Sequence, residues 1–226
     1  MQPVIEMRQV TKNYRGVAAV KAVDFTLNKG EVHALLGENG AGKSTLTKIM
    51  AGVVEASSGD MLHNGERVSF ANPHEALRNG IAMVFQETSL VPSMTVAQNI
   101  YLGEEKFLNR LRGIYIAAQQ FLQSLNFAVD PTAIVSTLGA AKRQMVEIAR
   151  AVHHKADVII FDEPTATLTP EEKRHFFALM RRLKASGVSI VFITHALEEA
   201  LSHSDRISIL RDGEMGEPEV SLSPLT

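Results

Sequence analysis

The apolar run Val32 to Leu36 leads straight into Gly37-Glu38-Asn39-Gly40-Ala41-Gly42-Lys43-Ser44, and a helix-forming segment from Lys43 to Met50 follows. A strand, a loop of the pattern G-x-x-x-x-G-K-[ST] and a helix, in that order, leave few folds open. Gly37, Gly40 and Gly42 let the backbone turn tightly, so that successive N–H groups converge on one point. The N-terminus of the following helix adds its dipole at the same point. The result is a cradle for a polyphosphate. Lys43 is placed to bridge β- and γ-phosphates, Ser44 to ligate Mg²⁺, and Thr45 to reach the α-phosphate. Accident produces the eight-residue pattern in roughly 1% of chains this long, and the strand-loop-helix setting makes accident rarer.

The rest of the chain supplies the strands such a cradle needs. The runs Ile81–Phe85, Val158–Phe161, Val188–Ile193 and Arg206–Leu210 are short and β-branched, and helix-like segments alternate with them. That alternation predicts an α/β fold with a mostly parallel sheet. The runs Val158–Phe161 and Val188–Ile193 are almost continuously apolar, as strands covered on both faces should be. His63-Asn64-Gly65-Glu66 reads as a hairpin turn and so as an antiparallel edge. Between about residues 88 and 150 no strand is expected. Val96–Leu102, Ile114–Leu125 and Lys142–Val152 read as helices, bounded by Pro92, Gly103, Gly113 and Pro131. The expected organisation is one domain over 1–226, its α/β core at about 1–87 and 151–226, with a helical subdomain inserted at about 88–150.

Composition narrows the function classes. The 226 residues are 45% apolar with a formal charge of -2, which suits a buried core and lacks the basic face of a nucleic-acid binder. With no cysteine, disulfide and thiol chemistry are excluded, which fits a reducing compartment. No apolar stretch approaches the ~20 residues of a membrane span, and the N-terminus carries no secretion-signal pattern. A role at a membrane would come through a partner. The polar C-terminal stretch from Gly213 stops abruptly, as if continued in a longer chain.

Val158–Phe161 runs into Asp162-Glu163, which places two carboxylates at the carboxyl edge of the sheet, where ligands bind in such folds. Asp162 would hold Mg²⁺, directly or through water. Glu163, on the other side of the pleat, would orient and deprotonate an attacking water. Taken alone, the pair is equally well read as solvated acids at a strand end; the phosphate loop favours the first reading.

GENGAGKST, Gln86 after IAMVF, the run LGAAKRQMVEIARA, VIIFDEPTATLT and VFITH, in that order, resemble an ABC-transporter nucleotide-binding domain over essentially the whole chain. VFQETSLVPSMTVAQNIYLG, MVEIARA and DEPTATLTPEE resemble the simple-sugar importer branch. The resemblance implies a RecA-like P-loop NTPase core and ATP with Mg²⁺ as ligands. It also implies a second nucleotide-binding domain, fused in the same polypeptide, with this chain as the N-terminal half. Membrane permease subunits, and behind them a sugar-binding protein, are the further implied partners, so the chain would sit peripherally on the cytoplasmic face of the membrane. Residue by residue, Tyr14 would stack on adenine. Gly37, Glu38, Asn39, Gly40, Ala41, Gly42, Lys43, Ser44 and Thr45 would surround the phosphates, with Lys43 serving catalysis as well as binding. Gln86 would contact Mg²⁺ and the attacking water, and His195 the γ-phosphate and the same water.

Two departures accompany the resemblance. Thr169 stands where the family usually carries an aspartate that faces the opposite domain, as is common in the sugar branch. The family's Leu-Ser-Gly-Gly-Gln signature reads Leu138-Gly139-Ala140-Ala141-Lys142, without the serine and with methyl groups where close approach is wanted. Lys142 either supplies positive charge or points to water. The implied activity is ATP hydrolysis that powers sugar import. The alternatives are a soluble ABC ATPase with a non-transport target, which should carry a basic surface or coiled-coil insertion, and an ATP-binding regulatory domain without turnover.

Overall fold

A computed structural model describes residues 3–85, 89–103, 111–166, 168–216 and 220–221. Two sheets share the core. The first is antiparallel, in the order β2 (Val17–Asn28), β1 (Pro3–Tyr14), β4 (Ser58–His63), β5 (Glu66–Val68). The second has seven strands. Its main path runs β10 (Glu214–Met215), β9 (Arg206–Arg211), β3 (Val32–Leu36), β8 (Ser189–Ile193), β7 (Val158–Asp162), β6 (Ile81–Val84), and β11 (Val220–Ser221) also pairs with β9. From β9 to β6 all pairings are parallel.

The parallel strands are covered on both faces, which is why they read as unbroken apolar runs. Ala34, Leu36, Ile159, Phe161, Ile190 and Phe192 face one core cluster. Leu35, Val158, Ile160, Val191 and Ile193 face the other, where they meet β1, β2 and helix α1 (Lys43–Met50). Burying a side chain such as Phe161 or Phe192 completely contributes about 1.5–3 kcal/mol, and both are fully buried.

Onto the first face pack α3 (Val96–Ile100), α4 (Leu111–Ser124), α5 (Ala140–His153) and α6 (Pro170–Ala185). In α4 the stripe Ile114, Ala118, Leu122 is fully buried at four-residue spacing, one face of a helix. The described residues also form two short helices, α2 (Pro73–Arg78) and α7 (Leu197–His203). Among the described residues between 88 and 150 there is no strand, only the single bridge Thr95↔Ile134.

The structure extends several expected elements. α5 begins two residues earlier than the periodicity suggests, because Gly139 takes an extended conformation (φ -68, ψ 163) and serves as its N-cap. The long β1–β2 ladder was not legible as alternation. Its register shifts repeatedly, and Gln9 and Ala22 lie at φ 50 and φ 45, so the period of two is interrupted.

Candidate nucleotide site

β3, β8, β7 and β6 are neighbours in the sheet and parallel, so the segments after them emerge side by side at one edge. After β3 comes the loop 37–42, after β7 Glu163, after β8 Thr194 and His195. Gln86, after β6, lies outside the described residues. This edge, beyond the carboxyl ends of parallel strands, is where α/β folds bind ligands.

The loop's shape depends on two close approaches. A Cβ on Gly37 (φ 156) would lie 2.2 Å from the Leu210 carbonyl oxygen, and one on Gly42 (φ 103) 2.3 Å from that of Ala19. Neither place admits a side chain. The Gly213 N–H donates to the Ala41 carbonyl at 3.0 Å, and the Gly213 carbonyl accepts from Lys21 N–H at 2.7 Å. The loop is thus held between β2 and the β9–β10 turn. Gly42 caps α1 without any side-chain acceptor, and no acidic residue sits in the first turn. The orphan N–H groups and the helix dipole therefore favour an anion there. Glu38, Asn39 and Gly40 are exposed on the loop, Ala41 is buried, and Thr45 is half-buried.

Lys43 is buried, and its Nζ donates to the carbonyls of Gly37 at 2.8 Å and Glu38 at 3.0 Å, which folds the ammonium group over the loop. The Ser44 hydroxyl donates to Asp162 Oδ1 at 3.2 Å. Hydroxyl and carboxylate are hard oxygen donors, the type Mg²⁺ takes. Burial pushes the Asp162 carboxyl above its ordinary value; the Ser44 bond opposes that, and the Glu163 charge adds to it. Glu163 is half-buried with φ 47, outside the strand. His195 is exposed. Tyr14, 44% exposed at the β1–β2 hairpin, belongs to the other sheet and carries Lys12 Nζ at 5.2 Å from its ring centroid. Lys43, Ser44, Asp162, Glu163 and His195 thus lie at or just beyond the ends of β3, β7 and β8, while Tyr14 ends β1, whose partner β2 comes close to Gly42 at Ala19.

Leu138 is half-buried, while Gly139, Ala140 and Lys142 are exposed at the start of α5. Lys142 thus lies at the surface. The same helix reaches the acidic segment, for Gln144 Nε2 donates to the Pro164 carbonyl at 2.8 Å. Further along, buried Glu147 accepts from Ser89 N–H and, at 3.0 Å, from its hydroxyl, while Arg150 bonds the same hydroxyl. Burial pushes the Glu147 carboxyl up, against the pull of Ser89 and Arg150. A second carboxylate, Glu199 of α7, binds Thr165, Thr194 and Lys173. Sequence reasoning missed both carboxylates. The available signal was an acid inside an otherwise apolar helix face for Glu147, and an acid four residues beyond His195 for Glu199.

The architecture is that of a P-loop NTPase, with the phosphate loop, the strand-end acids and His195 on one sheet edge. The chain belongs to the ABC transporter family, whose model matches residues 20–166. Among curated proteins it is 49% identical over 218 residues to the ribose import ATP-binding protein RbsA 1 of Rubrobacter xylanophilus, covering 95% of this chain and 44% of that one. It is 46% identical to a putative ribose/galactose/methyl galactoside import ATP-binding protein of Agrobacterium fabrum, covering 93% and 42%. The chain therefore spans less than half the length of these relatives. Among solved structures it resembles the ADP conformation of MJ1267, an ATP-binding cassette of an ABC transporter, with a TM-score of 0.84 at 26% identity, covering 98% and 92%. It matches the dimeric post-hydrolysis cassette MJ0796 bound to ADP and Pi with a TM-score of 0.84 at 25% identity, covering 98% and 100%. Among the described residues no helix is long and apolar enough to cross a membrane.

Proposed function

We propose that this chain binds Mg-ATP and hydrolyses it to power import of a simple sugar through separate permease subunits on the cytoplasmic face of a membrane. The observation that carries this reading is the Ser44–Asp162 hydrogen bond, which joins the phosphate loop to the acidic strand end across 118 residues of sequence. It is supported by the sugar-import names of relatives at 46–49% identity.

The loop N–H groups and Lys43 bind the phosphates. Bound Mg²⁺ would neutralise phosphate charge, with Ser44, Asp162 and Gln86 as its holders. Tyr14 stacks against the base. Glu163 takes the proton of the attacking water, and His195 and Gln86 hold that water in line. Catalysis is mostly positioning and charge stabilisation. A second nucleotide-binding domain, fused in the longer polypeptide, completes each site with its signature, and relative motion of residues 88–150 transmits closure to the permease. Because the signature Leu138–Lys142 lacks its serine, the site it completes on the partner domain is the weaker of the two.

Glu163→Gln tests the central assignment. The amide preserves shape and cannot accept the proton. Calorimetry should find Mg-ATP affinity kept, while phosphate release falls by at least about tenfold. Turnover near the parental rate would remove Glu163 as the base.

A further inference from the structure

The parallel ladder between β7 and β8 ends at the pair Asp162↔Ile193. Glu163 and His195 lie beyond that pair, so strand pairing no longer fixes their separation. Glu163 nonetheless sits at φ 47, in the left-handed region that a residue with a Cβ leaves unless its surroundings hold it there.

One carboxylate spans the gap. Glu199 Oε2 accepts from the Thr165 hydroxyl at 2.7 Å and from the Thr194 hydroxyl at 3.2 Å. Its Oε1 accepts from Lys173 Nζ of α6 at 2.8 Å. Thr165 follows Glu163 by two residues, and Thr194 immediately precedes His195. The Thr194 hydroxyl also accepts from Ala196 N–H at 3.1 Å, so it grips both sides of His195. Thr165 and Thr194 are buried and the Glu199 side chain is 13% exposed, so water is a poor substitute for any of these partners. Burial alone would raise the Glu199 carboxyl; bonds from Lys173, Thr165 and Thr194 outweigh it and hold the group below the usual carboxylate range.

We infer that Glu199 is a positioning residue for hydrolysis, which sets the segment carrying Glu163 against the segment carrying His195 where the sheet no longer does. The inference rests on the proposed roles of Glu163 and His195. Glu199 touches neither nucleotide nor water in this scheme; it acts through the two threonines.

The test is Mg-ATP turnover by the full transporter complex, with nucleotide affinity measured alongside. Glu199→Ala should lower kcat by about tenfold to a hundredfold, the cost of a small misplacement of a catalytic group, and leave KM within about twofold. Glu199→Gln, whose amide oxygen still accepts from Thr165 and Thr194, should recover most of the lost rate. Thr165→Val removes one hydroxyl and should fall between. In a Glu163→Gln background, Glu199→Ala should cost almost nothing further in residual rate, because its effect passes through Glu163. Normal kcat in both Glu199→Ala and Thr165→Val would overturn the inference, as would a full-sized effect of Glu199→Ala in the Glu163→Gln background. If Glu199→Ala fails to fold, Thr165→Val decides the matter: normal kcat in it overturns the inference. The two layers fail separately: a fully active Glu163→Gln sinks the catalytic role of Glu163, whereas an inactive Glu163→Gln beside normal Glu199→Ala and Thr165→Val sinks only the positioning role.

Discussion

Asp162 is buried beside another acid, an arrangement that serves a cation better than it serves the fold. Its folded carboxyl is raised by burial, so the folded chain keeps this proton to higher pH than the unfolded chain does. The sign follows from linkage: below the unfolded value both states hold the proton and there is no penalty, and above the folded value folding bears the full cost of a buried charge. Asp162→Asn keeps an acceptor for Ser44 and removes that charge. It should raise the melting temperature of the nucleotide-free chain at neutral pH by about 2 °C or more, an advantage that shrinks as pH falls towards the ordinary carboxylate range. The extra stabilisation by Mg-ATP should disappear in the same variant. A lower melting temperature at neutral pH would contradict this reading. At this scale Lys43, Ser44, Asp162 and Glu163 stand out in the sequence because each sits at a fixed offset from an apolar run, whereas His195 stands out only through the family resemblance. Glu199 was not legible, since its three partners come from separate segments, 34, 26 and 5 residues away.

Thr169, which replaces the family's usual aspartate, turns out to be the N-cap of α6. Its hydroxyl accepts from Glu172 N–H at 3.3 Å, and the Glu172 carboxylate accepts from Thr169 N–H at 2.8 Å, with Pro170 at the first turn. This is a capping box, and aspartate would cap equally well. Thr169→Ala should cost about 1 kcal/mol in urea unfolding, and Thr169→Asp should cost little; equal losses in both would argue against the cap. The Thr169 backbone and hydroxyl bonds hold the Glu172 carboxyl below its ordinary value. That support is present above the unfolded value of about 4.5 and is lost as pH falls through the lower folded one. The parallel strands were readable because both their faces are buried, and β1 and β2 were not, because bulges break their alternation.

At the scale of the molecule, the proposed completion of the site by another domain predicts that the chain alone is a poor ATPase. Phosphate release per chain should rise with protein concentration, and turnover that is robust at all concentrations would contradict a shared site. The hold of Gly213 and Leu210 on the phosphate loop has a temporal side. Gly213 is synthesised about 170 residues after Gly42, and β8 and β9, the strands on either side of β3, also come late. At roughly 5–20 residues per second the ribosome needs about 10–30 s to cover that distance. During that interval the nascent polypeptide carries every letter of the phosphate motif without the carbonyls and strands that shape it. ATP should therefore protect ribosome-stalled chains from protease only once the tether extends past Gly213. The first motif to be translated is among the last to become a binding site.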